Sequence, residues 1–192
     1  MPRLFGDVAF RYDPVSEAIL VIPIGSDGQN AASPSNPSVF ESSTHYQIES
    51  GNTFVHNNVH TAIASGSTYR HVLLTGAKTC HLTIYSATSD AAPIWVEISE
   101  GDTYTGGSPG LIANKKRNSA NTPTASIQEG VTLSVAGTHL EGDFAAGTKQ
   151  SGGGASIEEE WILKPNTAYM FLARNDATGA ASVSFHIEWY EV

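Results

Sequence analysis

The chain has 192 residues, of which 40% are hydrophobic and 15% charged, with a formal net charge of −9. That is the composition of about one globular domain, large enough to bury a core without disulfides or metal. The acidic balance argues against binding along a nucleic-acid backbone, which needs clustered Lys and Arg, and favours either a soluble, self-repelling surface or attraction to a basic partner surface.

The predicted elements are strands. Residues 1–15 read as an extended N-terminal arm, and residues 16–192 as a single domain. Met1 to Asp7 lacks the basic and apolar regions of a signal peptide. Ala18 to Ile24 is a buried strand that should end near Pro23, and is too short to span a bilayer. Gly25 to Pro37 is a long polar loop without a period, the kind that carries an interface.

Tyr46 to Glu49 and Thr53 to Ala64 read as strand-like segments, punctuated by Gly51-Asn52 and Gly66. Tyr69 to Leu74 and Thr79 to Tyr85 suggest a hairpin around Thr75-Gly76-Ala77-Lys78. In its second strand Cys80, Leu82 and Ile84 alternate with His81, Thr83 and Tyr85. Ile94 to Ile98 is a strand entered from Pro93. Asp102 to Asn121 is a Gly-, Asn- and Ser-rich excursion carrying the basic cluster Lys115-Lys116-Arg117.

Ala125 to Ile127 and Val131 to Val135 are short strands around Glu129-Gly130, and Gly142 to Ser156 reads as a flexible excursion. Three strands close the chain. The last alternates Val183, Phe185, Ile187 and Trp189 with Ser184, His186, Glu188 and Tyr190, so one face is apolar. Pro165-Asn166 and Thr178-Gly179 supply the reversals before it. No stretch sustains a helical apolar period. The expected fold is all-β: an antiparallel β-sandwich, jelly-roll-like, with long irregular loops and little helix.

Chemistry is scarce in the pattern. His56 and His60 are four apart and share a face on a strand, so both can reach one metal ion. No third ligand is identifiable in sequence, and His71 and His81 would depend on strand pairing. The pair therefore reads as histidines on a polar sheet face or at a subunit contact, and no metal or cofactor is expected. Glu158-Glu159-Glu160 point to alternate faces and form no facing carboxylate pair. Gly152-Gly153-Gly154 lacks the Gly-Lys-Ser/Thr of a phosphate loop. Cys80, the lone cysteine, sits at an apolar strand position and reads as a small core residue. No catalytic residue is assigned.

Three stretches carry a resemblance. They are Asn114-Lys115-Lys116-Arg117-Asn118-Ser119 with Asn121-Thr122, the run Glu160-Trp161-Ile162-Leu163-Lys164-Pro165-Asn166-Thr167-Ala168-Tyr169, and the ending Glu188-Trp189-Tyr190-Glu191. Together they resemble a family of tailed-bacteriophage virion proteins, some of which are jelly-roll capsid decoration (cement) proteins. The resemblance runs from roughly Val55 to the C-terminus. It implies a non-enzymatic protein made in the host bacterial cytoplasm and carried on the capsid exterior. It also implies a homotrimer that binds the major capsid protein and stabilises the shell; the charge balance and the short apolar runs separately point away from nucleic acid and membrane. Interface candidates are Arg3, Phe5, Arg11 and Tyr12 in the arm, with Lys115, Lys116 and Arg117 in the excursion. Trp95, Trp161 and Trp189 raise an alternative, a carbohydrate- or receptor-binding module of a tail fibre or spike.

Overall fold

The computed structural model describes residues 8–13, 18–23, 43–90, 93–145, 153–157 and 160–192. The chain divides into two compact units, Met1–Ser42 and Ser43–Val192. In the first, β1 (Val8–Asp13) pairs antiparallel with β2 (Ala18–Pro23), Val8 opposite Pro23 and Asp13 opposite Ala18. The strand ends at the proline, as expected of a residue with no ladder donor. The expected boundary after residue 15 falls between these two strands. The Gly25 to Pro37 loop lies outside the described residues.

The second unit opens on a correction. Tyr46 to Glu49 belong to a helix, α1 (Ser43–Glu49), and not to a strand. Its end explains the misreading of Gly51-Asn52. The Gly51 amide donates to the Ile48 carbonyl and the Asn52 amide to that of Gln47, both at 2.9 Å, with Gly51 at φ 73°. That pair of bonds is a Schellman cap, so the glycine marks a helix stop and not a strand turn.

From there the unit is an antiparallel sandwich. Its outgoing strands are β3 (Thr53–Ile63), β4 (Thr68–Leu74), β5 (Cys80–Ser89) and β6 (Ile94–Glu100). An excursion follows with β7 (Thr103–Thr105), β8 (Ser108–Pro109), β9 (Ala113–Asn114), β10 (Ser126–Glu129) and β11 (Thr132–Val135). The return strands are β12 (Thr138–Ala145), β13 (Gly153–Ile157), β14 (Trp161–Leu163), β15 (Ala168–Asn175) and β16 (Ala181–Glu191).

Outgoing and return strands pair in reverse order: β6 with β12, β5 with β13 and β14, β4 with β15, β3 with β16. The result is one long folded ribbon. Rolling it brings β15 beside β6 and β16 beside β5, giving sheets ordered β12-β6-β15-β4-β10-β8 and β13-β5-β16-β3-β9. This winding is that of a jelly roll, the all-β sandwich expected.

Corrections follow from it. β4 and β5 lie in different sheets, so Tyr69 to Tyr85 is a crossover and not a hairpin. Its bend is fastened to the Pro165-Asn166 turn: the Thr75 hydroxyl donates to the Lys164 carbonyl at 2.7 Å and accepts from the Thr167 amide at 2.9 Å. Asn166 itself sits at φ 50°. The alternation expected along β5 inverts after Thr83. Against β16, Ile84 stands opposite Glu188 and Leu82 opposite Trp189, leaving Thr83 as a bulge. One extra residue turns Ile84 outward and buries Tyr85. Finally, Gly153 and Gly154, expected in a flexible excursion, are ladder residues of β13, opposite Ser89 and Thr88.

The core lies between the sheets. Val183, Phe185, Ile187 and Trp189 of β16 are wholly buried, facing Tyr169, Phe171 and Ala173 of β15 and Ile94, Val96 and Ile98 of β6. A smaller cluster joins Val72 and Met170, on the opposite face of their sheet, to Val131 with Tyr104 and Leu133. Those last two come from the β7–β11 pair.

Candidate metal centre and the C-terminal clasp

The excursion between β6 and β12 adds β9 to the free edge of β3 and β10 to that of β4. It thereby brings Glu129 and the Leu111 carbonyl against residues of both sheets. β3 presents His56, Asn58 and His60 to this edge, and β4 presents Tyr69 and His71. His56 and His71 are fully buried.

These groups form a continuous set of contacts. His56 Nδ1 lies 2.9 Å from the Leu111 carbonyl oxygen, and His56 Nε2 lies 3.0 Å from His71 Nδ1. His71 Nε2 lies 2.9 Å from His60 Nε2. Glu129 Oε1 stands 3.7 Å from His56 Nε2, while Asn58 Nδ2 donates to Glu129 Oε2. The His60 ring stacks on Tyr69 with centroids 3.6 Å apart, and Phe185 lies under His71 at 4.3 Å.

Burial, reinforced by the neighbouring His56 and His60, pushes His71 down to about 2, so its ring is neutral and keeps a lone pair. Burial also lowers His60, against the opposing pull of Glu129. Gly110 makes room for the carboxylate and rings. A Cβ there would stand 2.6 Å from Ile127 Cγ2, 2.9 Å from Glu129 Oε1 and 3.0 Å from His56 Cε1. His56, His71 and Glu129 are the described residues able to hold a metal ion together, their ligand atoms lying within 4.8 Å of one another.

The sequence pair His56 and His60 is thus brought together on the inward face of β3, not on a polar outer face. His81 is elsewhere, with Nδ1 2.8 Å from Glu160 Oε1 and its ring stacked on Tyr190 at 4.4 Å. Glu129 escaped sequence reasoning because Glu129-Gly130 reads only as a turn. No local spacing announces a ligand delivered from another strand.

The basic cluster is engaged within the chain. Lys115 Nζ donates to both oxygens of buried Glu188, at 2.9 and 3.0 Å. Lys116 Nζ donates to the Glu49 carbonyl, and Arg117 Nη1 reaches the Asn114 carbonyl at 3.4 Å. Tyr190 donates to Glu160. The three stretches that carry the phage resemblance therefore meet in one clasp. Arg3 and Phe5 lie outside the described residues, as do Glu158 and Glu159, and Arg11 and Tyr12 are described only as backbone ladder positions of β1.

Trp189 and Cys80 are both buried in the core cluster, the Cys80 thiol pushed up by burial and by Glu191. Trp95 is half-buried on the outer face of β6, edge-on to Phe144 with centroids 4.8 Å apart.

No family model matches the chain, and neither the curated proteins nor the solved structures give a match. The fold defines the class: an antiparallel, jelly-roll-like β-sandwich. No helix among the described residues is long and apolar enough to cross a membrane.

Proposed function

We propose that the chain is a non-enzymatic structural protein of a tailed-phage virion, a head decoration protein that binds and stabilises the capsid shell as a homotrimer. The observation that carries this reading is the clasp. Lys115–Glu188 and Tyr190–Glu160 tie together the three stretches in which the resemblance resides, within a jelly-roll winding of the kind the resemblance implies. Those contacts brace β16 against the segments beside β9 and β14 in one sheet, the work expected of a load-carrying shell component. On this reading the net charge of −9 favours docking on a basic face of the major capsid protein. Threefold avidity multiplies modest contacts per subunit without any chemistry.

A second reading is a carbohydrate-binding module of a tail fibre or spike, favoured by the outward Trp95 beside Phe144, which is 51% exposed. One experiment separates the two. The purified chain is weighed in solution, then mixed with empty shells from the same phage and sedimented, with a glycan panel run in parallel. Stoichiometric co-sedimentation of a trimer supports decoration. Saturable glycan binding by a protein that ignores shells overturns it in favour of the tail.

A further inference from the structure

We propose that His56 Nε2, His71 Nδ1 and Glu129 Oε1 bind one divalent transition-metal ion of the zinc class, which fastens the 101–137 excursion to the edge of the sandwich. The site goes beyond the decoration reading and stands without it.

The first argument is convergence. The three atoms come from three strands, β3, β4 and β10, and lie within 4.8 Å of one another, with separations of 3.0 Å for the nitrogen pair and 3.7 Å between His56 and the carboxylate. Ligands at zinc-to-nitrogen and zinc-to-oxygen bond lengths in a tetrahedron stand about 3.4 Å from one another. These two edges bracket that figure, and the third, between His71 and Glu129, is held within 4.8 Å.

The second argument is the outer set of contacts. Every one of the three ligand residues has its remaining polar atom occupied by a different group. The Leu111 carbonyl takes the His56 Nδ1 proton, which leaves the Nε2 lone pair facing the site. Asn58 holds the second oxygen of Glu129. His60 faces the far nitrogen of His71. Metal-ligating imidazoles and carboxylates carry such partners as a rule, because these orient the ligand and raise its basicity.

The third argument is the proton order. Without a metal, one arrangement satisfies the row of rings: His60 Nε2–H donates to His71, His71 Nδ1–H to His56, and His56 Nδ1–H to Leu111. A metal on His71 Nδ1 requires that ring to carry its proton on Nε2 and donate it to His60, whose own proton moves to Nδ1. Two rings exchange tautomers and no net proton leaves the protein. Neutral rings are what a metal needs.

Two imidazoles with one carboxylate select zinc or its neighbours over calcium or magnesium, which prefer oxygen. Three protein ligands leave a fourth position for water. Because Glu129 and Leu111 belong to the excursion while both histidines belong to the sandwich, the ion is a staple between them.

The test uses the full chain without an affinity tag, stripped with chelator and then titrated with Zn2+. The expected result is one zinc per chain retained through gel filtration, with a rise in Tm that chelator reverses. Cobalt in place of zinc should give tetrahedral d–d absorption without a thiolate charge-transfer band, which separates the site from Cys80. Glu129→Gln, which keeps the shape of the side chain, should weaken zinc binding at least tenfold with an unchanged circular-dichroism spectrum. A folded wild-type chain that retains no zinc and shows no zinc-dependent Tm overturns the proposal. So does a Glu129→Gln chain that binds zinc as the wild type does.

Discussion

The carboxylate of Glu191, 1% exposed, accepts from the Thr124 amide at 2.8 Å, the Thr124 hydroxyl at 2.7 Å and the Ala125 amide at 2.9 Å. The Trp189 indole donates to it as well, at 3.3 Å. Glu191 is thus the peg on which the excursion hangs just ahead of β10. Glu191→Ala orphans two backbone donors next to the core, and bonds to a charged acceptor are the expensive ones to lose. The expected cost is about 3 kcal/mol, read as a lowered urea midpoint with unchanged slope, while Glu191→Gln should lose less because its amide oxygen still accepts. An alanine variant as stable as the wild type would show that Glu191 does not anchor the excursion. Sequence alone marked the Glu188-Trp189-Tyr190-Glu191 ending as a strand and as part of a resemblance. It could not place Thr124 against Glu191, because that contact spans 67 positions and joins parts of the two sheets that no ladder pairs. The metal-binding residues divide the same way. His56 shows in sequence through its spacing from His60, which partners His71 and is no ligand, whereas His71 and Glu129 arrive through pairings that no local period encodes.

Elements were legible where one face is apolar and the ladder regular. β16 shows its alternation over Val183 to Trp189, and the reversal ahead of β15 shows as Pro165-Asn166, borne out by the positive φ of Asn166. Elements were misread where a long-range partner overrode local composition. Glycines of β13 are strand because β5 offers them a ladder, and Thr83 is a bulge because β16 needs Trp189 inside. The junction of β6 with the β14–β15 turn yields a prediction at this scale. Lys164 Nζ donates to Glu100 Oε1 at 2.6 Å and the Tyr169 hydroxyl to Glu100 Oε2 at 2.7 Å. The Lys164 bond, then that from Tyr169, holds the Glu100 carboxyl below its ordinary 4.5. A carboxylate depressed in the folded state adds stability that is complete above the unfolded value and vanishes as pH falls through the folded one. Lys164→Met removes the larger cause. The Tm gap between wild type and variant should therefore be widest at neutral pH and close as pH drops below 4.5. The gap is modest, because Lys164 is largely exposed and water screens the pair. A gap that stays constant into acid would assign it to packing of the lysine stem instead.

At the scale of the molecule, the ribbon winding makes the two ends of the second unit mutually dependent. β16 lies between β5 and β3, so the last strand completes the middle of a sheet whose first strand is β3. That pairing joins residues separated by most of the unit's length, and such non-local ladders fold slowly because loop closure precedes the contacts that reward it. Among the described residues, every ladder of β3 to β16 has its partner within Ser43–Val192, and both core clusters are drawn from the same span. A fragment of residues 43–192 should therefore fold alone, with a single cooperative thermal transition and a near-ultraviolet spectrum from its buried Trp189. A chain ending at residue 180 should not, because it leaves β3 and β5 without their shared neighbour and exposes the apolar faces of Phe54, Leu82 and Phe171. Broad, non-cooperative melting of the 43–192 fragment would mean that these residues do not form an autonomous folding unit. If the fragment folds, it becomes the reagent that locates the capsid contact. Loss of shell binding with the sandwich intact places the contact in the first unit, and retained binding places it on the sandwich.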